Sequence, residues 1–189
     1  MVDLALQLIG ETLDRFLSNR FSLEESIVKI NRVVDQEGKR PEGNSNQVIL
    51  CLINLAQETN SQYYNRPTTG KDGIATSYQP SMHFNIELVC VADFDAYDES
   101  LRFLGAILEF FQSNPSISFN SDDRDKQLNE KNTLRLDIES ESYFNTHNLW
   151  SSIGAKYQPS IIVRASHITI DGRSIIKRSR IVETVEVAS

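Results

Sequence analysis

The chain has 189 residues, 40% of them apolar, which suits one α/β or α+β domain with a real core. A formal net charge of −7 and a pI near 5.0 argue against nucleic acid and against an anionic membrane surface, both of which want a basic face. No apolar run reaches the roughly 18–20 residues that a membrane span needs, and Cys51 and Cys90, both in apolar runs, read as buried, reduced thiols of a cytosolic protein.

Val2–Leu17 reads as a helix, with Leu4, Leu8, Leu13, Phe16 and Leu17 on or near one stripe and Glu11, Asp14 and Arg15 outside it. Acids among its apolar residues and the lack of a basic start speak against a signal peptide. Ser22-Leu-Glu-Glu25 has the form of a capping box, but Ile27–Val34 is rich in β-branched residues, and a strand is expected there. Gln36–Asn46 is a loop by its Gly, Pro and Asn content. Val48–Ala56 is apolar on both faces, as in a central strand covered on two sides.

Gln57–Pro80 is polar, has little periodicity and contains Tyr63, Tyr64 and Arg66. It reads either as an insertion or as a contact arm that orders in an assembly. Met82–Asp93 is the clearest strand: Met82, Phe84, Ile86, Leu88, Cys90 and Ala92 alternate with His83, Asn85, Glu87, Val89 and Val91. Asp98–Ser113 is a helix with Leu101, Leu104, Ile107, Leu108 and Phe111 on its apolar face and Phe103 and Phe110 beside them. It stops at Asn114-Pro115. A short strand, Ser116–Phe119, and a charged loop, Asn120–Asn132, follow. Leu134, Leu136 and Ile138 then alternate with Arg135, Asp137 and Glu139 in a half-buried strand.

Leu149, Trp150, Ile153 and Tyr157 recur at helical spacing, so one short helix is expected to carry all four and to stop at Gln158-Pro159. Ser160–Ile170 is a β-branched strand that is expected to close the sheet. Arg173–Arg180 is basic and Ile181–Val187 has β character. The order of elements predicts an α+β fold: a mixed, mostly antiparallel sheet packed against helices.

Reactive side chains form no catalytic set. His83 and Cys90 face opposite sides of their strand, and His147 and His167 are isolated. Metal, nucleophile-elbow and phosphate-loop motifs are absent. Asp93, Asp95, Asp98 and Glu99 could hold a cation, or could supply favourable charge at a helix N-terminus. Asp122-Asp-Arg-Asp125 reads as a solvated loop. Catalytic, cofactor-binding and metal-binding residues are therefore expected to be none.

Three runs, taken together and in order, carry a resemblance. They are Gln47–Leu55 with Tyr64-Asn-Arg-Pro67; Pro80–Gln112; and Leu149-Trp150 with Tyr157-Gln-Pro-Ser160 and the strand to Ile170. Over Val2–Gly172 the chain resembles the cap, or tail-terminator, family of extracellular contractile injection systems, the phage-tail-like particles of bacteria. One departure stands out: Ile53-Asn-Leu55 has no aromatic residue where the family usually has one.

The resemblance implies a phage tail-terminator-like domain over residues 1–172 and a C-terminal extension over 173–189. It implies a structural cap rather than an enzyme: a hexameric ring of identical copies on the end of the inner tube, touching the sheath protein and stopping both from growing. Neither a cofactor nor nucleic acid is implied, and assembly is expected in the cytoplasm without membrane insertion. The alternatives are a ligand-binding or enzymatic module on the same fold, and a tube or baseplate adaptor of the same particle.

Overall fold

The computed structural model describes residues 2–58, 68–69, 74–78, 82–119, 132–170 and 175–180. The chain divides into two compact units, Met1–Ala56 with Phe84–Ile168, and Gln57–His83 with Thr169–Ser189. This division follows contacts in space, whereas the expected boundary after Gly172 follows composition along the chain.

The first unit is α+β, as expected. Helix α1, Val2–Phe21, buries Leu6, Ile9, Leu13 and Leu17 at steps of three and four residues. The stripe is rotated from the one expected: Leu4 is exposed and Leu8 and Phe16 are only partly buried. The helix ends in a Schellman closure. Ser22 adopts φ 54°, and Leu23 N donates to Ser18 O at 3.0 Å. Ser22 therefore ends one helix instead of starting another. The expected strand follows as a short element, β1 (Val28–Ile30), which pairs in parallel with β2 (Gln47–Gln57).

Strand β2 is covered on both faces only at Val48, Ile49 and Leu50. Leu52 and Leu55 are exposed, which corrects the expectation for its C-terminal half. Strands β3 (Thr68–Thr69) and β4 (Ile74–Tyr78) precede β5 (Met82–Asp93). Alternation in β5 is as expected: Ile86, Leu88, Cys90 and Ala92 join one core, and Val89 and Val91 join the other. Helix α2, Tyr97–Ser113, buries Phe103, Ile107, Phe110 and Phe111. Leu101 and Leu108, expected on the apolar face, are instead 47% and 41% exposed.

Strands β6 (Ser116–Phe119), β7 (Asn132–Glu139) and β8 (Ser160–Ile170) form an antiparallel run, with helix α3 (Tyr143–Ile153) between β7 and β8. The sheet order is β1-β2-β5-β8-β7-β6. Thus β8 lies inside the sheet and does not close it, because it is inserted between β5 and β7. Its Val163 and Ala165 are accordingly fully buried.

Two cores sit on the two faces of this sheet. The larger holds α1 and α2. Phe16 meets Phe110 with ring centroids 5.5 Å apart, and Phe103 lies between Phe21 and Phe94 at 4.4 and 4.3 Å. Gly10 lies over Ile30 and Leu50, where an added methyl would meet carbons at 3.5–3.6 Å, so α1 runs close to the sheet. The smaller core holds Val33, Ile49, Val89, Val91 and Trp150.

In the second unit β3, β4 and β9 (Ile175–Arg180) form a three-stranded antiparallel sheet in that order. Part of the polar stretch Gln57–Pro80 is therefore strand. The basic segment at 175–180 is its partner: Ile74 pairs with Arg180 and Thr76 with Arg178. Mixed polar and β-branched residues conceal such strands, since neither face shows a clean alternation. The remainder of that stretch, the loop from 120 to 131 and the tail beyond 180 lie outside the described residues.

Candidate assembly surfaces

His83 lies in β5, His147 in α3 and His167 in β8. Cys51 borders the smaller core, while Cys90 belongs to the larger one on the opposite face of the sheet. Both thiols are free, and burial pushes both up, the fully buried Cys90 far above the ordinary thiol range. Among the described residues no group of three His, Cys, Asp or Glu could hold a metal ion. No helix among them is long and apolar enough to cross a membrane.

Two of the four clustered acids hold an arginine that sequence reading missed. Arg40 Nε donates to Asp93 Oδ2 at 2.9 Å, its Nη2 donates to the Asp93 carbonyl at 2.8 Å, and its Nη1 donates to Asp95 Oδ1 at 2.6 Å. Asp95 also accepts from Ser45 Oγ and Asn46 Nδ2, and its own amide donates to Asn46 Oδ1. The hydrogen bond from Arg40 is the main cause that holds the Asp95 carboxyl below its usual range. Burial would lower the Arg40 value, but the two carboxylates outweigh it and hold the guanidinium above its usual range. The clamp ties the 36–46 loop to the end of β5 and the connection that leads into α2. Fully buried Asn44 braces the same loop by donating to Arg32 O at 3.0 Å and accepting from Asn31 Nδ2 at 2.8 Å. Arg40 precedes Asp93 by 53 residues, so no local motif could reveal the pair.

A charged ladder crosses the middle of the sheet. Arg164 on β8 reaches Glu87 on β5 at 3.2 Å and Glu139 on β7 at 3.1 Å. Glu87 also accepts from Asn54 on β2 at 3.2 Å. Cross-strand pairs of this kind fix register more than they add energy.

Helix α3 carries exposed aromatic residues. Ser142 caps it by accepting from Asn145 N, and Gly154 ends it at φ 77°. The helix therefore stops before Tyr157, which corrects the expectation that Tyr157 belongs to it. Trp150 is 3% exposed, as expected of a core residue. Tyr157 folds back from beyond the cap and meets it edge-on, with ring centroids 5.7 Å apart. A cleft lined by Glu141, Tyr143, His147, Trp150 and Tyr157 lies along the helix. Tyr143 and Phe144 are 89% and 69% exposed at its start. Thr146 and Ser151 complete the polar side of this lining. Exposed aromatics of this kind suit a contact surface.

A family model described as "Pvc16 N-terminal domain" matches residues 8–184. No curated protein matches the chain. Among solved structures, the chain is similar to the sheath/tube terminator, in its extended state, of PVC, an extracellular contractile injection system. The TM-score is 0.62 at 11% identity, over 96% of this chain and 61% of that one. It is also similar to the tube-terminating cap of the anti-feeding prophage, with a TM-score of 0.45 at 9% identity, over 96% of this chain and 59% of that one. The chain thus spans about three fifths of the length of these two structures. With the model matching nearly its whole length, the chain belongs to the Pvc16 N-terminal domain family.

Proposed function

We propose that the chain is a structural cap of a contractile injection system. It forms a closed ring of identical copies, most simply a hexamer, on the last layer of the inner tube, and it contacts the end of the sheath so that both stop growing. The observation that carries this reading is the fold shared along 96% of the chain with a sheath/tube terminator, and the family membership supports it. A ring requires two different surfaces that meet around a closed circle. The exposed aromatics of α3 and the outer face of α2 are candidates. Assembly takes place in the cytoplasm. In this reading the C-terminal extension, residues 173–189, reaches the sheath or a neighbouring copy, and β9 within it also pairs with β4.

The test is to polymerise the tube protein of the same particle with and without this chain and to image the products by electron microscopy. Tubes of uniform length, ending in a six-fold ring, are expected. Tubes that grow regardless, or ends with three-fold or no symmetry, would exclude the hexameric cap.

A further inference from the structure

The six-stranded sheet leaves backbone groups open at two places. Strand β1 covers only Val48–Leu50 of the 11-residue β2. Val48 N donates to Ile27 O at 2.8 Å and Leu50 O accepts from Asn31 N at 3.2 Å, so both residues turn their backbone groups toward β1. By the period of two, Leu52, Asn54 and Ala56 turn theirs to the same side, beyond the end of β1. Among the described residues these groups meet only a weak thiol contact, from Cys51 to the Leu52 carbonyl at 3.6 Å. At the other edge Leu136 N donates to Pro115 O at 2.8 Å, so Ser116 and Ser118 turn N–H and C=O away from β7. No described strand lies beyond them. Sheet edges are commonly blunted by proline, lysine or another charge. Leu52–Ala56 and Ser116–Phe119 contain none of these, and Leu52 and Leu55 are exposed.

The two edges match in direction, in side-chain face and in their open groups. Asn54 and Glu58 of β2 meet Glu87 and His83 of β5, and Glu87 and Ala92 of β5 meet Arg164 and Pro159 at β8, so both pairs of strands are antiparallel. With β7 antiparallel to β8, and β6 to β7, strand β6 runs the same way as β2. Val48, Leu50 and Ile117 all belong to the core under α1 and α2, so Asn54 and Ile117 point to the same face of the sheet. We propose that β6 of one copy adds as a parallel strand to the open part of β2 in the next copy, in line with β1 and with Ile117 opposite Asn54. In this register Leu52 O accepts from Ser116 N, and Asn54 N donates to Ser116 O. Asn54 O accepts from Ser118 N, and Ala56 N donates to Ser118 O. Every open backbone group of Ser116 and Ser118 then has a partner, and the sheet of one copy continues into the next. The contact joins two different edges and is heterologous, the kind that closes a ring. It rests on the ring reading above and names two surfaces for it.

The test traps the contact as a disulfide in the full chain. Cys51→Ser is the background, since the remaining Cys90 is fully buried. Chains with Leu55→Cys are mixed with chains with Ser118→Cys at about 1 mM, where even weak specific contacts are populated, and oxidised. The two positions are opposite each other in the proposed register, on strands about 4.8 Å apart, which a disulfide can bridge. The mixture is expected to give reducible dimers that neither variant gives alone. A chain carrying both substitutions is expected to give a ladder that ends at one closed size. Asn54→Pro removes an N–H that points out of the sheet, so it is expected to leave the fold intact and to cut the cross-linked yield by at least about tenfold. Ala56→Pro, nearer the end of the strand, does the same by removing the N–H that meets Ser118 O. Circular dichroism checks that every variant is folded. A mixture without dimers, Leu55→Cys chains that link to one another as readily as to Ser118→Cys chains, or folded proline variants that link like their parent overturn the proposal. Tube capping by the wild type is scored separately. Capping without this cross-link refutes the edge contact alone, whereas a closed ladder from chains whose wild type leaves tubes uncapped refutes the terminator reading alone.

Discussion

Asp14 Oδ1 on α1 accepts from Ser26 Oγ, Ile27 N and Val28 N at 3.0, 2.8 and 2.9 Å. It anchors the start of β1, and sequence reading placed it only as a polar residue outside the helix stripe. Asp14→Ala leaves two backbone donors unmet, which should cost about 1–3 kcal/mol, while Asp14→Asn keeps the acceptor and should cost less. Urea unfolding of the two variants separates the outcomes, and equal losses would mean that the bonds contribute little. Trp150→Ala should cost about 3–5 kcal/mol for a buried aromatic. Its indole nitrogen is buried with no partner among the described residues, so Trp150→Phe should recover much of that loss. Melting followed by circular dichroism tests both, and an unchanged Trp150→Ala protein would contradict the core assignment.

The Arg40 clamp makes a pH prediction. The Asp95 carboxyl is depressed in the folded state, so its contribution is present above the ordinary carboxylate pKa and is lost as pH falls through the depressed value. Arg40→Met removes that dependence and leaves the nearly buried Asp93 without its charged partner, a loss of about 1–3 kcal/mol at neutral pH. Acid titration of stability should therefore be flatter below the usual carboxylate range in Arg40→Met than in the wild type. Identical acid limbs would show that the pair does not couple to folding.

At the scale of elements, chain breaks decide more than propensity does. Ser22 and Gly154 end α1 and α3 in the left-handed region, at φ 54° and 77°. For α3 this cuts a helical pattern that appears in the sequence to continue to Tyr157. Gly154→Ala should cost about 1–2 kcal/mol, because a side chain is strained there even where space is open. Thermal melting measures it, and a neutral result would mean that α3 can run on toward Tyr157. The displaced apolar stripes of α1 and α2 have one cause. A helix with leucines around more than half its circumference can bury only the part that meets the sheet, and Leu4, Leu101 and Leu108 are left outside.

At the scale of the molecule, β9 makes the C-terminal region part of the fold. Ending the chain after Gly172 removes β9 and leaves β3 and β4 as a two-stranded hairpin, which is marginal by itself. Hydrogen exchange should then show lost protection at Ile74–Tyr78, with the first unit retaining its protected core. Protection kept at Ile74–Tyr78 would show that β9 is dispensable.

Periodicity was enough for what depends on near neighbours. The sides of β5, the span of β8, the burial of Trp150 and the α+β class all follow from residues a few places apart. Tertiary structure alone decided the parallel pairing of Val28 with Val48, the place of β8 inside the sheet, the grip of Arg40 on Asp93 and the pairing of Ile74 with Arg180. These join segments 20 to 106 residues apart. A pattern along the chain shows that a strand or a charge wants a partner. Which distant partner it takes is set by the competition among all segments that chain closure brings within reach.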